Sequence, residues 1–242
     1  MEGWVHMFVS VITTTKNRSH FLPALLECYR TQVWPHKDME WLLMDDSEFE
    51  EQETASGLIQ NWIAKTQIPN VHHIRICSST PTGSKLNQLI RMAQGDILIV
   101  MDDDDWYSPY RVSSVVDAFR LHPEIDLAGC SKVYMQFEEE PEALWVAGPY
   151  HDQHALHCTM AFRRRYFATH SYDNEEVCAV ERQVTNGFTE PMIQLYPRHT
   201  ILHKIHSSNT YPFKRSVGLL RRSSLELAKF IGYGNVDEQV SL

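Results

Sequence analysis

The sequence predicts an α/β fold built around a mainly parallel sheet, and two patterns carry that prediction. Short apolar runs rich in β-branched residues alternate with longer segments of helical spacing, the order of βαβ units. Three of the runs end in polar or acidic residues: Thr13-Thr14-Thr15, Asp45-Asp46, and Asp102 to Asp105. In open parallel sheets the ligand site lies at the carboxyl ends of the strands, so these clusters are expected to meet in one crevice. The 242 residues, 43% of them hydrophobic and 22% charged, can bury a sizeable core. They are read as one domain over 1–242, in halves 1–121 and 122–242.

The elements come in this order. Phe8 to Ile12 is a continuous apolar strand. Ser19 is placed to cap a helix carrying Phe21, Leu22, Leu25, Leu26 and Tyr29. Trp41 to Met44 is a second strand, and 52–66 a helix with Leu58, Ile59, Trp62 and Ile63 on one face. A strand over Val71–Cys77, a helix over Leu86–Ala93, a strand over Ile97–Met101 and a helix over Pro109–Leu121 complete the regular half. Beyond it the pattern predicts a strand within 127–135, a turn at Glu138 to Pro141 and an edge strand at Leu144–Val146. Further on it predicts a strand at Cys158–Phe162, a helix over Val177–Thr185, a strand over Thr200–Ile205 and a helix over Val217–Ile231. The tail after Gly234 is expected to fray.

Composition narrows the partners. With 22 Lys+Arg against 31 Asp+Glu the net charge is −9, so no basic face is expected for nucleic acid. No run reaches the roughly 18–20 apolar residues of a membrane span, and the N-terminus lacks the basic region of a secretory signal. Five widely spaced cysteines without C-x-x-C read as reduced thiols in a cytoplasmic compartment. His151, His154 and His157 are spaced i, i+3, i+6 without a fitting fourth ligand, so a zinc site is not expected there.

Gly95-Asp96-Ile97-Leu98-Ile99-Val100-Met101-Asp102-Asp103-Asp104-Asp105-Trp106-Tyr107-Ser108-Pro109 is the most informative stretch. Four consecutive carboxylates at a strand end repel one another, and a hard divalent cation with oxygen ligands, magnesium or manganese, answers that repulsion. In extended chain residues i and i+2 share a face, which points Asp102 and Asp104 into one crevice.

Together with Val9 to Arg18, Glu40 to Ser47 and Gly83-Ser84-Lys85-Leu86-Asn87, this stretch resembles the family-2 glycosyltransferases of the nucleotide-diphospho-sugar-binding GT-A fold. The resemblance spans about the first 110 residues and implies transfer of a sugar from a UDP-sugar to a hydroxyl acceptor, with Mn2+ or Mg2+ as cofactor and inversion as the outcome. It implies that Thr14 and Asp46 contact the uracil, and that Thr13, Asn17 and Arg18 line the nucleoside pocket or brace its loop. It places Lys85 near the base or diphosphate, Asn87 as an anchor of its loop, Asp102 and Asp103 near the ribose, and Asp104 on the metal. Asp103 makes the centre of the D-x-D element acidic, so a neighbour can share the metal. His206, after the strand over 200–205, resembles the late metal or diphosphate ligand of GT-A enzymes.

Inverting transfer needs a carboxylate to take the acceptor proton. Glu181, among Val177, Val180 and Val184, is the expected base because partial burial raises a carboxyl pKa. Asp173 and Glu176 are its rivals. Two other functions fit the strand-end acids: an aspartate-based metal-dependent phosphohydrolase, and a sugar-nucleotide-binding module without turnover.

Overall fold

The computed structural model describes residues 7–210 and 219–232. A seven-stranded sheet is centred on β1 (Val9–Thr15). On one side of it lie β2 (Met39–Asp45) and β3 (Val71–Arg75), parallel to it, and on the other side β4 (Ile97–Val100), also parallel. Chain order therefore reverses at β1, and the crevice outside the carboxyl ends of β1 and β4 is where such sheets bind ligands. The expected mainly parallel sheet is present.

Both faces of this sheet are covered, as unbroken apolar strands require. On one face Val9, Val11, Trp41, Leu43, Ile97 and Ile99 pack against α1 (Leu22–Arg30), α2 (Phe49–Thr66) and α4 (Arg111–Leu121). On the other, Ile12, Leu42, Met44, Leu98 and Val100 meet Leu86 and Leu89 of α3 (Thr82–Met92). The same face also takes Tyr172, Val180 and Val184 from the second half of the chain.

The rest of the chain continues this frame and adds a second sheet. After β4 come β5 (Trp106–Tyr107), β6 (Leu127–Gly129), β7 (Val133–Phe137), β8 (Glu140–Ala147) and β9 (Ala161–Arg163). Then come α5 (Glu181–Val184), β10 (Ile193–Gln194), β11 (Ile201–Ile205), β12 (Arg221–Arg222) and α6 (Leu227–Ile231). Strands β9, β6 and β10 extend the first sheet beyond β4; β12, β8, β7, β11 and β5 form the second in that order.

Several expectations change. Ser19 caps nothing: it opens a 3-10 turn over Ser19–Phe21 that leads into α1. The strand expected within 127–135 divides into β6 and β7, which belong to different sheets. The segment at Leu144–Val146 lies in β8 between two neighbours, not at an edge. Residues 157–159 form a 3-10 turn, and the strand begins at Ala161. The helix over 177–185 shrinks to the one turn of α5, because Ala179 at φ 52° interrupts it and Val177 is 55% exposed. Of the last helix only α6 is found, preceded by β12; positions 217 and 218 and the tail after 234 lie outside the described residues.

Gly83, in the first turn of α3, ties the two halves together. Its N–H donates to the Glu176 carbonyl at 2.9 Å, and a Cβ there would lie 1.8 Å from the Asp173 carbonyl oxygen. Gly83→Ala should therefore cost about 1–3 kcal/mol, the usual penalty of overpacking. Gly57, inside α2, has nothing within 4 Å of such a Cβ, so Gly57→Ala should stabilise by about 0.5–1 kcal/mol. Denaturant melts of the two variants should move in opposite directions.

Candidate functional site

The loops after β1, β2 and β4 converge because each is tied to another. Asn17, in the left-handed region at φ 55° that asparagine tolerates, donates its N–H to Ser47 Oγ at 2.6 Å and accepts the Glu48 N–H at 3.0 Å. Thr15 Oγ1 donates to Asp103 Oδ2 at 2.6 Å. Thr13 is buried, donating to the Met101 carbonyl at 2.6 Å and accepting from Trp41 Nε1 at 2.9 Å. The β1 loop is thus anchored to both neighbours, and Arg18 reaches back over the acid run.

Three of the four acids have side-chain partners. Arg18 Nη1 lies 3.1 Å from Asp103 Oδ1 and 2.9 Å from Asp104 Oδ2. Asp104 Oδ2 also meets His206 Nε2 at 3.2 Å and Asn209 Nδ2 at 3.3 Å. Asp105 accepts the Lys204 N–H at 2.8 Å and His203 Nδ1 at 2.9 Å. Asp102 donates its backbone N–H to the Tyr107 hydroxyl at 2.6 Å, and that hydroxyl donates on to the Cys158 carbonyl at 3.3 Å. Burial and the neighbouring carboxylates push the Asp102, Asp103 and Asp104 carboxyls above their ordinary range. Burial pulls the Arg18 pKa down, but the Asp103 and Asp104 charges outweigh it and leave it raised.

Two adjoining cavities open here. One, of about 580 Å³, is lined by Asp102, Asp103, Asp104, Glu181, Tyr150, His157 and His203, among others. The other, of about 630 Å³, is lined by Thr15, Lys16, Asn17, Thr80 and Lys85, among others. Thr14 and Arg18 line both. Asp46 lines neither: it is buried under the second cavity, with Oδ1 2.5 Å from Lys85 Nζ and Oδ2 accepting the Thr80 N–H at 2.9 Å. Thr13 and Asn87 are likewise in the interior. Asn87 Nδ2 donates to the Tyr172 carbonyl at 2.8 Å and its Oδ1 accepts the Tyr172 N–H at 3.0 Å, which fixes the second-half segment before Glu181.

Glu181 lies in the first cavity, where burial raises its pKa above the ordinary glutamate value. Asp173 and Glu176 are exposed and hold local turn bonds instead. His206 accepts the Ser208 N–H on Nδ1 at 3.2 Å, and burial and Arg18 keep its pKa low. With Nδ1 engaged as an acceptor, Nε2 is the nitrogen that faces Asp104. His151, His154 and His157 do not converge; His157 pairs with the Tyr172 hydroxyl at 3.1 Å while His154 packs on Phe188.

Asp105 and His203 carry no expected role, yet the structure pairs them at the centre of the site. Burial pulls His203 down, but Asp105 outweighs it and lifts the imidazole to about 9. The signal that could have found His203 is period two: His203 and Ile205 share one face of β11, and both line the first cavity. Asp105, Cys158 and His203 also bring three potential ligand atoms within 4.8 Å of one another, but Asp105 and His203 already satisfy each other. Asp104 fits a hard cation better, since it lines the first cavity beside the carboxylates of Asp102 and Asp103.

A sheet that reverses order at β1, an acid run at the end of β4 and two cavities sharing its rim define the GT-A fold of glycosyltransferases. The chain belongs to glycosyl transferase family 2, whose profile matches residues 10–185. It is similar in fold to the mannosyltransferase PcManGT from Pyrobaculum calidifontis, solved with GDP-Man and Mn2+: TM-score 0.66, 13% identity, 84% of this chain and 59% of that one. It is also similar to S. aureus TarS 1-349 in complex with UDP-GlcNAc, at TM-score 0.65 and 15% identity over 84% of this chain and 60% of that one. The chain spans about three-fifths of the length of these structures. No described helix is long and apolar enough to cross a membrane.

The Asp46–Lys85 pair supports the second cavity from below. Lys85→Met leaves the buried Asp46 charge with only the more distant Lys16, at 3.9 Å, and the Thr80 N–H, and should cost up to about 3–5 kcal/mol, whereas Asp46→Asn/Lys85→Met should recover most of that loss. Denaturant melts of the single and double variants measure both.

Proposed function

We propose that this chain transfers a sugar from a UDP-sugar to the hydroxyl of an acceptor, with inversion, and that a divalent cation at Asp104 is required. One observation supports this above the others: Glu181 lines the same cavity as Asp102 and Asp104, beside a second cavity built from the strand-end loops. The second cavity takes the nucleotide, with Thr14, Asn17 and Lys85 against it and Asp46 holding Lys85 in place. The first takes the transferred sugar and the acceptor. The donors in the PcManGT and TarS complexes, GDP-Man and UDP-GlcNAc, are of this nucleotide-diphosphate class. Five free cysteines support a reducing, cytoplasmic setting.

Glu181 accepts the proton of the acceptor hydroxyl as that oxygen attacks the anomeric carbon, the glycosidic bond to UDP breaks, and UDP leaves with the bonding pair. A raised pKa suits this role, since the stronger base is the better proton acceptor. Asp104, with Asp102 or His206 beside it, would hold Mn2+ or Mg2+. When bound, that ion supplies Lewis-acid stabilisation of the departing diphosphate. Asp103, held by Thr15 and Arg18, shapes the rim between the cavities.

Calorimetry with UDP should show weak binding in EDTA and tighter binding in manganese, since an acidic protein must neutralise an anionic ligand locally. Asp104→Ala should abolish both that difference and transfer. Equal affinity in the two buffers would remove the metal from the reaction.

The base carries its own test. Transfer should decline as pH falls through a value above the ordinary glutamate range, because only the ionised Glu181 accepts a proton. Glu181→Gln should lose that acid limb and about 10²–10⁴-fold in turnover, with UDP affinity and melting temperature nearly unchanged. Full activity in the variant would pass the role to Asp173 or Glu176.

A further inference from the structure

Arg18 stands where the two cavities meet. Its guanidinium touches Asp103 and Asp104 through Nη1, while Nη2 donates to the Ser208 carbonyl and lies 3.4 Å from Thr210 Oγ1. We propose that Arg18 is the resident counter-cation of the acid run in the metal-free protein, and that it moves to the diphosphate of the donor once a divalent cation takes Asp104. The proposal rests on Asp104 as a metal ligand and adds a role for Arg18 that a metal bridge alone does not require.

Crowding at one oxygen is the first reason. Asp104 Oδ2 receives Arg18, His206 and Asn209 together, so a cation that uses this oxygen must displace a donor. His206 is held by the Ser208 N–H and by the ring of Phe21, 4.7 Å away between centroids. Asn209 is held by the His206 N–H at 2.7 Å and by the Lys204 carbonyl at 3.3 Å. Arg18 is the donor that carries a full charge, and a like-charged metal on the same oxygen repels it.

Charge balance in the second cavity is the second reason. A diphosphate needs cations beyond one metal, and the two lysines there share the buried carboxylate of Asp46. Lys85 pairs with buried Asp46 at 2.5 Å, and Lys16 donates to Ser79 Oγ at 2.6 Å. Arg18 lines that cavity already, and its planar fork matches phosphate oxygens two at a time. Leaving Asp104 therefore brings it toward the one ligand group short of positive charge.

Removing Arg18 should then act oppositely on the two ligands. Arg18 competes with the metal in the free protein, yet favours nucleotide once the metal is bound, so each ligand assists the other. A purely structural Arg18 would weaken both when removed. A metal that simply bridges Asp104 and the phosphates would leave metal affinity in the free protein independent of Arg18.

The test titrates Mn2+ alone into wild type, Arg18→Gln and Arg18→Lys by calorimetry, then UDP into each at saturating Mn2+, with thermal melts to confirm folding. Arg18→Gln should bind Mn2+ about 5–150-fold tighter, the usual span of coupling between sites, and UDP more weakly by a similar factor. Arg18→Lys keeps the charge that one nitrogen, Nη1, now presents to both carboxylates but loses the fork offered to phosphate, so it should bind Mn2+ close to wild type and UDP more weakly. Tightening in Lys as large as in Gln would show that the positive charge at this position does not compete with the metal and would overturn the proposal. Unchanged or weaker Mn2+ binding in Arg18→Gln would overturn it as well, and unchanged UDP affinity would overturn the transfer to the diphosphate. Absence of Mn2+ binding in every protein, wild type included, would instead remove the metal from Asp104 and the proposal with it.

Discussion

Mutual repulsion among the four carboxylates after β4 is the constraint around which the molecule is arranged. Each partner that answers it comes from a different place: Thr15 and Arg18 from the end of β1, His203 and the Lys204 N–H from β11, His206 and Asn209 from the loop after β11. The acid run is therefore the joint between the two sheets. Its continuation, β5, pairs with β11, and β11 runs parallel to β7. Acids at a strand end look like a local feature of the first sheet, yet their compensation requires the second sheet in place.

A buried cation lies beneath the same joint. Arg111, at the start of α4, is fully buried; its Nη2 donates to the Val100 carbonyl at 3.3 Å and to the Met160 carbonyl at 2.9 Å. Its Nε and Nη1 find no hydrogen-bond partner among the described residues. Burial lowers its pKa, and Tyr107 is the largest of the groups that act against that. A guanidinium in such a place costs free energy unless opposite charge is near. The carbonyls of Val100 and Met160, at the end of β4 and just before β9, are the acceptors it has among the described residues, so the end of β4 carries a buried cation beneath the acid run.

The sequence made the first half legible because its signals are local. Val9 to Ile12 and Ile97 to Val100 are buried on both faces, so an unbroken apolar run meant a central strand, and Thr15, Asp45 and Asp102 could be placed at strand ends by counting. The second half yielded less because its segments are short and defined by what they pack on. Val177, Val180 and Val184 imitate a helical stripe, but Ala179 turns left-handed and only the last two valines reach the core. In the same way Asp46 was legible as a strand-end acid, while its burial against Lys85 depends on α3, a helix whose depth in the fold no local pattern records. Arg18, expected as a lining residue, proves to hold the acids; that pairing joins positions 85 and 86 residues apart in sequence.

The irregularity of the second half has a physical logic. A long helix would present one fixed stripe, whereas the cavity needs single side chains delivered from several directions onto a wall already set by the sheet. Val180 and Val184 bury in the core cluster that includes Leu86 and Leu89 of α3 and flank Glu181, so one turn suffices to aim its carboxyl into the cavity. Tyr172 is fixed by two backbone hydrogen bonds with Asn87, one accepted and one donated, and its hydroxyl then meets His157 on the cavity wall. Rigidity is borrowed from α3 rather than built into the segment. The same helix carries Lys85 into the second cavity, so the side chains of the second half and the strand-end loops are set against one frame.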